Sequence, residues 1–334
     1  MNAKERVYRT LSFGNPDRIP IDIWSLKSAD AVYGDQLRRL ITQGTPDIAF
    51  LPLQDPTQDP RRYDIGEYTD VWGCEWQNKQ YGIIGEVKKY PLEDNDVIAD
   101  YRSPLNLLRE KKQHMLEHTQ GFISEHSDQF ILSGWNSLFE RMQFLRGTEN
   151  LFIDIAEESD EFFAIRNIVL EYCCEYAEIC SDIDGVDGCV IGDDWGSQIS
   201  SLISLPSWRK LFKPAYEKII NIMKAHDKKV FVHSDGYILD YYDEWKELGV
   251  DAINSQLTCM GLEKVAEKVK GLLTIWGELD RQYTMPRGTV AEVKGLIDRI
   301  KSTFYHNGGI IGQFEINSDM PIENIECGIF GWQK

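Results

Sequence analysis

The stretch Lys229-Val230-Phe231-Val232-His233-Ser234-Asp235-Gly236 ends a short apolar run with an imidazole and a carboxylate. The run reads as a buried strand, and a period of two sets His233 and Asp235 on one face. A histidine beside a carboxylate can hold, orient or move a proton near neutral pH. The other histidines, His114, His118, His126, His226 and His306, sit in polar or helical contexts and are expected at the surface. His233 and Asp235 are therefore the candidate catalytic pair.

Polar and aromatic residues collect in the same way wherever an apolar run stops. Asp22 closes the first run, Trp135 follows Gly134, and Asp194 and Trp195 follow Ile191-Gly192-Asp193. Asn254 ends another run, Glu278 follows Trp276-Gly277, and Glu315 follows Gln313-Phe314. Together these ends describe a polar pocket with aromatic walls. Asp22, Trp135, Asp194, Trp195, Asn254, Glu278 and Glu315 are its candidate substrate-binding residues. Of the neighbours Asp193 and Asp194, one is expected to cap a helix, a common use of Asp after a strand.

The elements that must position these side chains alternate along the chain. A helix is expected over 2–11, with Asn2 as its cap and Glu5 three residues on. Strands are expected at 19–24, 47–53, 129–134, 186–193, 229–233, 250–254, 272–276 and 309–314. Helical patterns are expected from near Asn136, over 206–225, over 237–248 and from Thr289. About eight β/α units fit a closed (β/α)8 barrel, whose chemistry sits at the C-terminal strand ends. No Gly-rich phosphate loop follows the first strand, which argues against an open doubly wound sheet. Between 63 and 92, aromatic and β-branched residues alternate with Gly73, Gly82 and Gly85. This reads as a β-hairpin inserted after the second strand. No linker or repeat divides residues 1–334, so one barrel domain is expected.

Composition narrows the function. Thirty-six Lys and Arg against 54 Asp and Glu give a formal net charge of −18. This argues against nucleic acid, anionic membrane, or a polyanion held by bulk charge, while leaving room for a local basic pocket. The N-terminal Met1-Asn2-Ala3-Lys4-Glu5-Arg6 carries no apolar signal region, and a cytoplasmic protein is expected. The seven cysteines form no C-x-x-C pair and read as reduced, packed thiols.

These residues resemble the uroporphyrinogen decarboxylase superfamily along almost the whole chain. The opening Asn2-Ala3-Lys4-Glu5-Arg6-Val7 with Pro16-Asp17-Arg18-Ile19-Pro20 is similar, as are Asp70-Val71-Trp72-Gly73-Cys74 and Gly192-Asp193-Asp194-Trp195-Gly196. Phe231 to Gly236, Leu248 to Asn254, Trp276-Gly277-Glu278-Leu279-Asp280 and Pro321-Ile322-Glu323-Asn324-Ile325 complete the pattern. The resemblance implies a TIM barrel with a pocket at the C-terminal strand ends.

It implies two possible activities. True decarboxylases carry an Arg-rich segment after the first strand, for a substrate with many carboxylates. Here that segment is Ile23-Trp24-Ser25-Leu26-Lys27-Ser28-Ala29-Asp30, without an Arg. Corrinoid methyltransferases of the superfamily hold zinc with a His-x-Cys pair and a distant Cys. His233 matches the His, Asp235 stands in place of the first Cys, and Phe314 is the best match for the second. The thiolates are missing, so no zinc is expected to be tightly bound; a substitute set of His233, Asp235 and Glu315 is the alternative. The expected function is methyl transfer on a small substrate, with a corrinoid protein or a tetrahydrofolate as co-substrate or partner and no tightly bound cofactor. A decarboxylase for a smaller carboxylate and a non-catalytic binding barrel are the other readings.

Overall fold

In the computed structural model, which describes residues 1–333, the apolar runs become strands and each later run is followed by helix. β1 spans Ile21–Ser25 and β2 Ile48–Phe50. β3 (Gly66–Thr69), β4 (Glu75–Asn78) and β5 (Glu86–Lys89) form a separate antiparallel sheet. β6 spans Phe130–Asn136, β7 Gly188–Gly192, β8 Lys229–Ser234, β9 Ala252–Ser255, β10 Thr274–Trp276 and β11 Ile310–Ile316. The eight-stranded sheet runs in the order β1-β11-β10-β9-β8-β7-β6-β2, and its strand pairs are parallel. Asp47 closes the gap between the two outer strands. Its N–H donates to the Ile21 carbonyl at 2.8 Å, and its carboxylate accepts from the Ile21 N–H at 2.8 Å. The result is a nearly closed TIM barrel with flanking helices.

The inserted segment differs from the expected hairpin by one strand. β4 pairs with both β3 and β5. Trp76 and Tyr68 face each other across β3 and β4 with their rings stacked, centroids 6.0 Å apart. The glycines after 73 break the pattern often enough for a second turn, which a single-hairpin reading overlooks.

The first helix, Ala3–Leu11, is capped as expected by the Asn2 side chain on the Glu5 N–H. The helical pattern over 206–225 is two helices, Leu205–Leu211 and Lys213–Ala225. Pro214 explains the break, since a proline in the first turn has no N–H to continue the preceding helix. No helix among the described residues is long and apolar enough to cross a membrane.

The barrel interior is a stack of inward side chains at every second position. Phe130, Val190, Phe231, Ala252, Trp276 and Ile311 are buried there together. The Phe231 ring meets Trp276 edge-on at 5.0 Å. Trp24, Phe50 and Trp135 form the next layer towards the C-terminal end.

One irregularity sets that layer. In β6 the pairs are Ser133 with Cys189 and then Asn136 with Ile191, so β6 carries one extra residue. The bulge contains Gly134, whose φ of 71° suits glycine. The extra residue shifts parity, so that Trp135 turns inward where position 134 would otherwise have done so. The opposing inward position is Gly192. A Cβ there would lie 2.3 Å from Trp135 Nε1, so the ring occupies the space that a side chain on β7 would fill.

Candidate functional site

The register places His233 level with Gly192 on one side and Asn254 on the other. Asn254 is buried, and its Nδ2 donates to the Trp276 carbonyl at 2.5 Å and to Gln313 Oε1 at 2.8 Å. A backbone carbonyl only accepts, so the amide nitrogen of Asn254 must face it and the amide oxygen faces His233. That oxygen is 2.6 Å from His233 Nδ1, which therefore carries a hydrogen and donates. Nε2 is left pointing out of the barrel.

Two carboxylates meet Nε2. Asp194 Oδ1 is 3.6 Å away and Asp235 Oδ1 is 3.7 Å away. These are ion-pair distances, longer than a hydrogen bond. Asp194 Oδ1 also accepts the Asp235 N–H at 2.8 Å, which fixes the turn after β8. The Asp194 side chain lies in a cleft at the barrel mouth that is open to solvent, with 42% of its surface accessible. Enclosure there raises its pKa, opposed by the charge of His233. Trp135 and Trp24 wall the histidine, with ring centroids 5.2 Å and 5.5 Å from it.

Arg281 secures the other side. Its guanidinium pairs with Asp235 and with Glu315, the latter at 2.6 Å. Its Nε is 2.7 Å from Glu278 Oε1, an ion pair without hydrogen-bond alignment. Glu278 is 4% exposed, and burial pushes its pKa up to about 8 against the pull of Arg281.

Glu140 supplies a further carboxyl that the strand-end reading overlooked. It lies in the helix Phe139–Arg146, which follows β6. Burial, then the charges of Asp194 and Asp193, hold it well above the usual carboxylate range. Sequence spacing gives no sign of it, because it comes from a helix start rather than a strand end.

The structure brings His233, Asp235, Asp194, Glu278 and Trp135 together. Four other candidates lie elsewhere or are committed to other partners. Asp22 is 3% exposed and accepts the indole N–H groups of Trp24 at 2.8 Å and Trp276 at 2.9 Å. It anchors the tryptophan layer from below and is closed to substrate. Trp195 is fully buried, stacked on Phe139 at 3.9 Å with its N–H on Tyr216. It points away from Asp194 because successive residues face opposite sides of an extended chain. Asn254 orients His233 and is covered by protein. Glu315 is held on Arg281. Neither Asp193 nor Asp194 caps the helix that follows β7, whose N-cap is Ser204; Asp193 instead accepts from the N–H groups of Leu138 and Glu140, each at 2.8 Å, at the start of the helix Phe139–Arg146.

The thiolate ligands that hold zinc in the resembling methyltransferases are missing here, and what remains is a His233, Asp194 and Asp235 group that could hold a metal ion only through harder oxygen ligands. Phe314 packs towards Gly328 in the outer helix Ile322–Phe330, away from His233. Glu315 and one oxygen of Asp235 are engaged by Arg281. What converges is one nitrogen and two oxygens, from His233, Asp194 and Asp235, within 4.8 Å of one another. Elemental analysis of chelator-washed protein is expected to find well under one zinc per chain. One zinc per chain, lost on His233→Ala, would reverse this conclusion.

A cavity of about 180 Å³ opens beside the cleft, between the small sheet and the barrel. Trp135 and Glu140 line it and separate it from His233.

The fold recurs in a known protein. A methyltransferase from Methanosarcina mazei superposes with a TM-score of 0.67 at 14% identity, over 100% of this chain and 98% of its own. An endo-β-1,4-xylanase from Gloeophyllum trabeum reaches 0.46 at 8% identity, over 97% of this chain and 99% of its own. A 3-keto-D-glucoside 4-epimerase from E. coli reaches 0.42 at 13% identity, over 73% and 97%. No curated protein matches the chain. The sequence model of uroporphyrinogen decarboxylase (URO-D) matches residues 69–329, which take in β4 and β5 of the inserted sheet, the His233 strand and the Arg281 loop. With that match covering most of its length, the chain belongs to the uroporphyrinogen decarboxylase family.

Proposed function

We propose that the protein is a methyltransferase acting on a small substrate bound at the His233 cleft. One observation carries the reading: His233 Nε2, Asp194 and Asp235 converge at 3.6 and 3.7 Å beside the Trp24 and Trp135 rings. A methyl group in flight between two nucleophiles carries partial positive charge. An acidic floor with aromatic walls stabilises that charge, and disfavours a departing carboxylate at the same place. Family membership, and the fold shared with a methyltransferase, support the reading.

In this scheme a corrinoid protein or a tetrahydrofolate supplies or takes up the methyl group. The chain's own residues manage the proton on the substrate heteroatom. Asn254 keeps the Nδ1 hydrogen in place, so Nε2 is the atom that takes or returns a proton. Asp194 and Asp235 stabilise the cation so formed. Arg281 holds Asp235 in position, and the Trp24 and Trp135 rings shield the flank of the imidazole.

Isotope-labelled methyltetrahydrofolate and methylcobalamin, each offered with a panel of small thiols, amines and carboxylates, test the proposal. Label transfer that needs His233 supports it. Release of carbon dioxide from a small carboxylate, without label transfer, would establish the decarboxylase reading instead.

A further inference from the structure

The cavity under the small sheet holds two arginines with unfilled hydrogen-bonding capacity. It lies against the helix Asp160–Ser181, and Tyr68, Trp72, Phe144 and Tyr172 give it flat aromatic walls. Arg141 and Arg62 both line it.

Arg141 is held by two rings and by one long hydrogen bond to an acid. Its guanidinium lies over Trp72 at 4.7 Å and Phe144 at 5.4 Å. Its nearest acid is Asp70, at 3.5 Å. Asp70 is already satisfied: Oδ1 accepts from the N–H groups of Trp72 and Cys74, and Oδ2 from the indole of Trp76 at 2.9 Å. The Cys74 thiol is its other close polar neighbour. A guanidinium has five N–H donors, so most of this fork is unspent.

Arg62 is in a similar state. It meets Tyr63, at 2.8 Å from the hydroxyl and 4.8 Å from the ring centre, and forms no ion pair among the described residues. The remaining acids do not claim these forks. Asp59 is taken by the guanidinium of Arg61, at 2.9 Å. Asp55 accepts from the N–H and hydroxyl of Thr57, each at 2.8 Å. Burial raises the pKa of Asp55, opposed first by its Thr57 hydrogen bonds and then by the charges of Arg141 and Arg62, which it meets at a distance without a hydrogen bond. A cationic ligand would meet like charge along these walls, where Arg141 already lies over Trp72 and Arg61 over Tyr68.

We propose that this cavity binds the carboxylate of a small monocarboxylate with a flat apolar body. Arg141 and Arg62 take the carboxylate, as planar forks matched to its two oxygens. The aromatic walls take the body. The far end of the ligand meets Trp135 and Glu140, the partition shared with the His233 cleft. The carboxylate is then a handle and the reacting group lies at the opposite end. Recognition of the carboxylate stands on the cavity alone; the placement of the reacting end rests on the methyl-transfer reading.

Calorimetric titration of the full chain with benzoate and with benzamide tests this. The two probes share a shape and differ in charge. Benzoate is expected to bind saturably, and benzamide at least about tenfold more weakly, the loss of a charge-assisted pair. Arg141→Gln and Arg62→Gln should each weaken benzoate by about tenfold, and Arg141→Lys should weaken it as well, since an ammonium has no fork. Thermal unfolding checks that the variants fold. Should Arg141→Gln fail to fold, Arg62→Gln in its surface turn still decides the matter. Equal binding of the two probes, no saturable benzoate binding, or indifference to both Gln substitutions would overturn the proposal. Arginine-dependent benzoate binding in a protein without methyl transfer would support the carboxylate site and sink the transfer reading. Turnover of uncharged substrates without benzoate binding would do the reverse.

Discussion

His233→Gln should lower methyl transfer by about 10²–10⁴-fold, the usual worth of a positioned acid–base group. The glutamine amide can still donate to Asn254, so the layer beneath is kept. It cannot take a proton at the position of Nε2. The side chain it replaces is 13% exposed, at the edge of the cleft rather than in the core. Stability should therefore change little, and the thermal midpoint measures this independently. Asn254→Ala frees the ring to turn and should reduce the rate while leaving substrate affinity nearly unchanged. Single-turnover rates with saturating substrate separate the two effects. A His233→Gln protein with an unaltered rate would remove His233 from the chemistry.

Arg281→Met should cost about 3–5 kcal/mol of stability in alkaline solution, the usual result of stripping the partner from buried charge. Glu278, Asp235 and Glu315 all lose their shared cation. The cost should shrink as pH falls. Burial already places Glu278 near pKa 8 in the folded state, and Arg281 is the charge that lowers it. Without Arg281 the folded pKa rises further above the unfolded value of about 4.3. A folded carboxyl whose pKa is raised binds its proton more tightly than the unfolded chain does. Its stabilising contribution is fully present below the unfolded pKa and disappears as pH rises through the folded one. Urea unfolding of wild type and variant at about pH 6 and about pH 9 should show the larger gap at the higher value. An equal gap at both, or none, would show that Arg281 does not carry this charge.

The barrel, and the meeting of His233, Asp194 and Asp235 at its mouth, are legible in the sequence because one rule generates both. Inward residues recur every second position, so His233 follows Phe231, Asp194 follows Val190 across Gly192, and Glu315 follows Gln313. The same rule fails on depth. Asp22 does point inward, but it pairs in register with Gln313, one layer below the level of Trp24 and Glu315. A sequence shows parity along a strand and not the height of that strand relative to its neighbours. Trp195 was misplaced by adjacency, since it follows a site residue and faces the opposite way. Trp135 is visible in the sequence only as a residue near a strand end; the bulge that turns it inward has no marker except Gly134. Glu140, Arg141 and Arg62 were overlooked for a different reason. They sit on a helix start and an insertion, and only tertiary packing brings those against the barrel mouth.

The arrangement around Arg281 has a mechanical consequence. Its three partners come from the ends of β8, β10 and β11. β9, lying between β8 and β10, is tied in through Asn254 on His233. Four consecutive staves, half the circumference, are therefore braced by charge and hydrogen bonds at the rim. The opposite half ends in β1, β2, β6 and β7, and the inserted sheet stands over part of it. Opening the braced half would separate buried ions, whereas shifting the sheet above the cavity mainly slides side chains across aromatic faces. Breathing of the mouth is thus lopsided. Hydrogen exchange should be fast in β3 to β5 and slow in β8 to β11, and a molecule entering the cleft passes under the sheet.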